Sequence, residues 1–340
     1  MDKVLSVSIA AYNVEKTLRE ALFPFTLEKV VDLVDVMIVN DGSNDRTVEI
    51  ASEYVDKYPD TFRLINKENG GWGSTLNVGI KNARGKYFKQ LDGDDYYSLE
   101  NLYEFLLFLN EADADMVHSP FVTFSDGSGI LREYGVYEGT YDKFPLNRKV
   151  LLSECEGFVP AMHSTAILTK VLQSSDIFIT EKCFYTDVEF VLKSLNNCET
   201  IIFFEKPVYY YRLARNGQSM SQAGVRKHYE DHQKMLFGML DYYEKYVTKP
   251  EYKKIFQERL LGVVSMQYIF YFALECTGKQ KEQLKLYDKI LKEKYPYFYE
   301  NEISNIVSFL RRTAFWGYYF VSKYKMMKDK KLKRNIFEGC

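Results

Sequence analysis

Two acidic turns carry the chemistry legible in this 340-residue chain. One is Val39-Asn40-Asp41-Gly42-Ser43 and the other is Leu91-Asp92-Gly93-Asp94-Asp95. Each follows a run that reads as a β-strand. The second turn holds three carboxylates in four residues, a crowding that costs free energy unless a cation compensates it. Oxygen-only ligands suit a hard divalent ion, Mn²⁺ or Mg²⁺, and such an ion in turn suits phosphate. Alone, Asp92-Gly93-Asp94-Asp95 reads equally well as a solvated turn. Its spacing does not match a calcium EF-hand loop. Placed at a strand end, with Asp41 at a neighbouring strand end, it points to a cation that meets the diphosphate of a nucleotide-activated substrate.

The elements that must position these groups follow from periodicity. Leu5 to Ala11 alternates and reads as a first strand. Glu15 to Phe23 is compatible with a helix and stops at Pro24. Val34 to Val39 is nearly all apolar, as expected of a central parallel strand covered on both faces. Asp45 to Tyr58 carries Val48, Ala51, Tyr54 and Val55 at helical spacing. Phe62 to Asn66 is a third strand. The Gly70-Gly71-Trp72-Gly73 loop leads into a helix for which Ser74 is the expected N-cap. Tyr87 to Leu91 is a fourth strand. Alternation of strand and helix through about residue 120 implies a parallel sheet with right-handed crossovers. Ligands of such sheets lie beyond the carboxyl ends of the strands, where Tyr12-Asn13, Asp41 and Asp92 to Asp95 fall.

The expected fold is therefore α/β, an open twisted, mostly parallel sheet flanked by helices, with a helical C-terminal region. The expected division is 1–220 and 221–340, the first splitting into a part that carries the acidic turns (1–120) and a mixed part (121–220). Val122 to Phe124 and Ile201 to Phe204 read as short strands and Phe184 to Leu195 as a helix. His228 to Tyr246, Lys254 to Leu274 and Lys281 to Lys294 read as long helices.

Composition narrows the class. A formal net charge of −2 gives no global attraction to nucleic acid. Five cysteines without a Cys-x-x-Cys spacing fit neither a disulfide framework nor a zinc site, and point to a reducing cytosol. Met1-Asp2-Lys3-Val4 enters a strand-like run directly, without a signal-peptide layout. The most apolar stretch, Val263 to Leu274, is too short to span a bilayer. His228 and His232 stand four apart on a polar segment with no third ligand, so a metal pair is disfavoured. Phe315 to Phe320 is mostly aromatic, and Lys323 to Arg334 holds seven basic residues and one acid. That pairing marks 315–334 as a candidate for peripheral membrane contact, beside the plainer reading of a solvated tail. An oligomer built through the helical part is the other open reading.

Ser6-Val7-Ser8-Ile9-Ala10-Ala11-Tyr12-Asn13, then Val39-Asn40-Asp41-Gly42-Ser43, then the Asp-x-Asp-Asp cluster resemble family 2 glycosyltransferases of the GT-A fold. The likeness covers about the first 120 residues. A weaker one continues through Tyr185-Thr186-Asp187-Val188-Glu189-Phe190, Val208 to Arg212 and Gln218 to Ser221. The resemblance implies a nucleotide-sugar donor such as a UDP-sugar, a divalent cation, and inversion at the anomeric carbon. It implies that Ala11, Tyr12 and Asn13 line the nucleotide pocket and that Asp41 binds base or ribose. Gly71 and Gly93 would approach the donor, Asp92 would serve the ribose, and Asp94 and Asp95 the metal and diphosphate. Asp187 falls at the general base of a Glu-Asp pair whose Glu is here Thr186. Arg212 and Arg215 fall where basic residues meet the diphosphate, and His163 is an acceptor-side candidate. The acceptor implied is a glycan or lipid-linked glycan of surface polysaccharide synthesis.

Two other classes stay open. A sugar-nucleotide pyrophosphorylase would need a basic Gly-rich loop where Ala11-Tyr12-Asn13-Val14 stands. A non-catalytic nucleotide-sugar-binding protein would not need the intact acidic cluster and Asp187.

Overall fold

The computed structural model describes residues 2–125, 131–134, 144–155, 157–158, 160–213 and 222–324. The chain divides into two compact units, Met1–Leu213 and Ala214–Cys340.

The first unit is built on β1 (Leu5–Ala11), β2 (Val34–Asn40), β3 (Phe62–Asn66) and β4 (Tyr87–Asp92), all parallel, in spatial order β3-β2-β1-β4. β2 is buried at every position, which explains its nearly all-apolar sequence, interrupted by Asp35. α1 (Leu18–Leu22), α2 (Thr47–Lys57), α3 (Trp72–Asn82) and α4 (Leu102–Glu111) follow the strands in alternation. The helices bury Leu18, Ile50, Ala51, Phe105 and Leu109, and the strands Val7, Ile9, Val36 and Ile38 in the same core. At about 25 cal/mol per Å² of apolar area, such burial is the main stabilising term of the unit.

Beyond β4 the order becomes mixed. β10 (Thr165–Leu168) lies antiparallel between β4 and β6 (Met116–His118). β11 (Thr200–Phe203) then pairs parallel with β6, and β9 (Val150–Leu151) closes the edge. Among the described residues the main sheet thus has eight strands. A second sheet of four strands joins β5 (Tyr96–Tyr97), β12 (Tyr209–Leu213), β7 (Phe121–Ser125) and β8 (Leu131–Tyr134) in that order. Periodicity hinted at β7 and β11, but the second sheet as a whole was not expected. Its strands are short, and β5 and β12 are distant in the chain.

Local signals account for most boundaries. Pro24 sits in a 3₁₀ turn, Phe23–Thr26, that continues α1. The expected N-cap Ser74 lies inside α3 instead. Gly71, at φ +80°, is the N-cap, and the Ser74 hydroxyl donates to the Gly71 carbonyl at 2.6 Å. α5 (Thr169–Ser174) and α6 (Asp187–Leu195) are the remaining α-helices among the unit's described residues, α6 beginning later than the sequence suggested because Tyr185 adopts φ +66°.

The second unit is helical: α7 (Gln222–Tyr246), α8 (Pro250–Ala273), α9 (Gly278–Lys294), α10 (Pro296–Asn301), α11 (Asn305–Arg312) and a further turn of helix at 318–324. α7 kinks at His228, whose φ is −120°. Its interior is laced with polar pairs. The Tyr268 hydroxyl donates to Asp288 at 2.5 Å, and the Arg311 guanidinium donates to the same carboxylate at 2.8 Å. His232 meets Gln267 at 2.6 Å, and burial holds its imidazole down to about 4. His228 meets Asp231 at 3.0 Å. These two histidines are thus engaged with side chains of the helices. No helix among the described residues is long and apolar enough to cross a membrane.

Candidate functional site

The register of β1 brings the two acidic turns together. Ala11 pairs with Asn40 on one side, and Ala10 with Asp92 on the other. Tyr12, Asp41 and Asp92 to Asp95 therefore lie at the carboxyl ends of three adjacent strands. Backbone bonds lock them there: the Asp41 N–H donates to the Ala11 carbonyl at 2.9 Å, and the Gly93 N–H to the Ala10 carbonyl at 3.1 Å. Asn13 sits at φ +53° and accepts from the Asn44 N–H at 2.8 Å, which ties the β1 end to the turn after β2. Ala11 is buried and Tyr12 is half exposed at the mouth.

Asp41 is buried and heavily bonded. Its carboxylate accepts from the Gly70 and Gly71 N–H groups, each at 2.8 Å, and from Lys67 at 2.7 Å. It thus orders the glycine-rich loop directly. Gly73 then packs against the carbonyl of Thr180, where a Cβ would come within 2.3 Å. The Lys182 N–H donates to the Gly70 carbonyl at 2.6 Å, and Asn77 exchanges bonds of 2.9 Å with the Ile179 backbone. The segment leading to Asp187 is therefore laid along α3 and its glycine loop.

Asp92, Asp94 and Asp95 bring carboxylate oxygens within 4.8 Å of one another. Burial, then the Asp94 charge, push Asp92 up to about 7, although part of its surface stays open; the Trp72 indole N–H, at 2.7 Å, acts the other way. Asp95 is pushed well above the usual carboxylate range by burial and by both neighbouring acids. Its two oxygens accept from the Tyr209 hydroxyl at 2.5 Å and from the Arg212 N–H at 2.7 Å. Asp95 thereby fastens the acidic turn to β12. The cluster is a hard-oxygen donor set in a crowded like-charge arrangement, and it fits a hard divalent cation.

Asp187 opens α6, and its charge is felt at both Asp92 and Tyr211. Glu189 is turned away from the cleft: it accepts from the Thr180 N–H and hydroxyl, each at 3.1 Å, and pairs with Lys193. Thr186 is buried beside it. His163 lies against Tyr211 and Phe121, with ring centroids at 4.3 and 4.9 Å. Some of its surface remains open, yet burial of the ring, with Lys89 nearby, holds the imidazole neutral, down to about 3. The Arg212 guanidinium donates to the Asp94 carbonyl at 2.8 Å and pairs with Glu20. In this arrangement it braces the acidic turn. Arg215 lies outside the described residues, as do Gln218 to Ser221.

Sequence reasoning missed Trp72, Lys67, Tyr209 and Glu20. Trp72 stood in the glycine loop in plain view, one of two tryptophans in the chain. Tyr209 is 114 residues from Asp95, a pairing that only the second sheet creates.

The fold is of the GT-A type, with a carboxylate cluster at the carboxyl ends of an α/β sheet and one acid set apart on a helix start. Residues 6–168, just under half of the chain, match the family model described as glycosyl transferase family 2. It is 40% identical over 110 residues to an uncharacterized glycosyltransferase of Rickettsia prowazekii, covering 32% of this chain and 33% of that protein. It is 26% identical over 257 residues to the uncharacterized glycosyltransferase EpsJ of Bacillus subtilis, covering 72% and 71%. The chain spans about a third of the length of the first of these relatives. The crystal structure of S. aureus TarS 1–349 superposes with a TM-score of 0.66 at 20% identity, covering 96% of this chain and 92% of that one. The same fragment has been solved with UDP-GlcNAc.

Proposed function

We propose that this protein moves a sugar from a UDP-sugar to an acceptor hydroxyl with inversion, in the synthesis of a surface polysaccharide or related glycoconjugate. One observation carries the reading: Asp187 stands at a helix start within electrostatic reach of the acidic turn, so a base and a donor site share one cleft. The glycosyltransferase family and the UDP-GlcNAc complex of TarS support the donor class. A glycan, free or lipid-linked, is the acceptor in this reading, and the reaction takes place in the cytoplasm.

The chemistry follows from the residues. Asp187 accepts the proton of the acceptor hydroxyl as that oxygen attacks the anomeric carbon. The bond from that carbon to the diphosphate breaks, and the diphosphate leaves with the electron pair. Attack opposite the leaving group inverts the centre. Asp94, with Asp92 or Asp95, would hold Mn²⁺ or Mg²⁺, which supplies charge neutralisation for the leaving group. Asp41 and Trp72 set the glycine loop and the Asp92 carboxyl beside the donor. His163, as a neutral ring among aromatics, contributes shape to the acceptor side.

Asp187→Asn tests this directly. We expect transfer to fall by about 10³-fold while a UDP-sugar still binds by calorimetry in the presence of Mn²⁺. A variant that transfers sugar at the normal rate would remove Asp187 as the base. Lack of manganese-dependent binding by any UDP-sugar in a panel would remove the donor assignment.

A further inference from the structure

The end of the helical unit presents an apolar face that its own core does not cover. α11 buries Val307 and Leu310 and leaves Ile306 and Phe309 outside. The helical turn at 318–324 buries Tyr318 and Ser322 and leaves Phe320 and Tyr324 outside. Between them Trp316 is 81% exposed, among the most open large side chains of the described residues, and Phe320 is 75% exposed.

These residues form one surface. The Phe309 ring sits on Gly317, where a Cβ would come within 2.3 Å of it. The Lys281 ammonium lies over the rings of both Trp316 and Tyr319, at 5.6 and 5.4 Å. The charge along the segment that carries the exposed rings has one sign. From Ile303 to Tyr324 the chain carries Arg311, Arg312 and Lys323 and no acid. Arg311 is committed to Asp288, while Arg312 and Lys323 are exposed. The sequence from Lys325 to Arg334 adds six more basic residues against Asp329 alone.

We infer that this face docks on the surface of an anionic lipid bilayer. Tryptophan and phenylalanine flanked by lysine and arginine match the apolar–headgroup boundary, where rings insert and cations meet phosphates. Each basic residue near such a surface adds about 1 kcal/mol of attraction. A second copy of the chain fits less well. A two-fold contact through this face would set Lys281, Arg312 and Lys323 against their own equivalents. The sequence pointed to 315–334; the face begins earlier, at Ile303, and includes Lys281 from α9. The inference does not depend on sugar transfer.

The test is flotation of the full chain with vesicles of phosphatidylcholine alone or mixed with phosphatidylglycerol. We expect capture by the anionic vesicles only, weakened by salt. Trp316→Ala with Phe320→Ala, and separately Lys281→Glu with Arg312→Glu, should each reduce capture about tenfold or more. Unchanged thermal midpoints would show that the variants fold, as their exposure predicts. Equal capture by neutral vesicles, no capture at all, or undiminished capture of both variants would overturn the inference. Light scattering that shows a dimer lost in the same variants would assign the face to a second copy instead. Sugar transfer by soluble variants keeps the Asp187 reading separate from either result.

Discussion

The two ends of the parallel sheet treat buried acids in opposite ways. At the amino end, Asp35 on β2 is almost fully enclosed and fully matched. Arg63 on β3 grips it through two nitrogens at 2.8 Å, and Ser6 on β1 donates to it at 2.7 Å. The Ser6 hydroxyl in turn accepts from the Arg84 and Gly85 N–H groups, so strands, carboxylate and turn form one closed network. At the carboxyl end, Asp92, Asp94 and Asp95 face one another: beyond burial, Asp94 raises the cost of ionising Asp92, and Asp92 and Asp94 both raise that of Asp95. One end converts a buried acid into rigidity. The other holds like charges together, an arrangement that stores repulsion until a cation and an anionic ligand arrive. Asp41, at the same carboxyl end, is matched by Lys67 and two backbone N–H groups, so it is crowding among Asp92, Asp94 and Asp95, rather than burial, that marks the site.

The largest expected effect breaks the carboxyl end. Asp94→Asn should lower sugar transfer by about 10³-fold, since it removes a ligand oxygen and a charge from the donor site. It should also raise the thermal midpoint of the metal-free protein, because the repulsion on Asp92 falls. Added Mn²⁺ should stabilise the native chain and leave the variant unmoved. A lower midpoint in the metal-free variant would mean that Asp94 is structural, and the contrast between the two ends would fail.

The amino end should respond in stability and not in chemistry. Arg63→Met leaves the Asp35 carboxylate buried without its guanidinium, a loss of about 3 kcal/mol. Urea unfolding would read that loss, with activity per folded molecule unchanged. Adding Asp35→Asn should restore much of it. If the single variant unfolds with the native midpoint, the matched pair contributes nothing and Asp35 is held by Ser6 alone.

How far these ends were legible depended on the range of the interaction. β1 to β4 were readable because each strand's pattern is set by its own burial, as in the all-buried Val34–Asn40. Asp41 and the Asp92 turn were readable because strand ends are local events and a parallel sheet gathers them at one edge. What these acids bond to was not readable. Asp41 was expected to meet a base or ribose; the partners it has are the glycine-loop N–H groups of Gly70 and Gly71 and the Lys67 ammonium. Asp95 is claimed by Tyr209 and the Arg212 backbone, partners supplied by a sheet that no short-range pattern announces. Ser74 looked like a cap by residue type, but the positive φ of Gly71 decided where α3 begins. Ser6 with Asp35 and Arg63 was invisible for the same reason as Tyr209: the three lie on three strands.

Lys89 sits between the two ends and gives the smallest test. It lies in β4 opposite Val7, is completely buried, and donates to the His163 carbonyl at 2.6 Å and the Thr165 carbonyl at 3.3 Å. Burial lowers its ammonium to about 7 from an ordinary value of 10.5. The sign follows from proton counts. Between those two values the unfolded chain binds more protons at this lysine than the folded one, so stability rises with pH. Above pH 7 the slope from this one group is about 1 kcal/mol per pH unit. Urea midpoints of the native chain and of Lys89→Met, measured from pH 7 to 8.5, should therefore converge or diverge with that slope. Any constant offset between them reports the two lost carbonyl bonds, while the pH-dependent part reports the charge. Parallel profiles would mean that the ammonium is fully solvated by its carbonyls and the nearby rings of Tyr97 and Tyr209, and that the middle of the sheet tolerates a cation as well as its amino end tolerates Arg63.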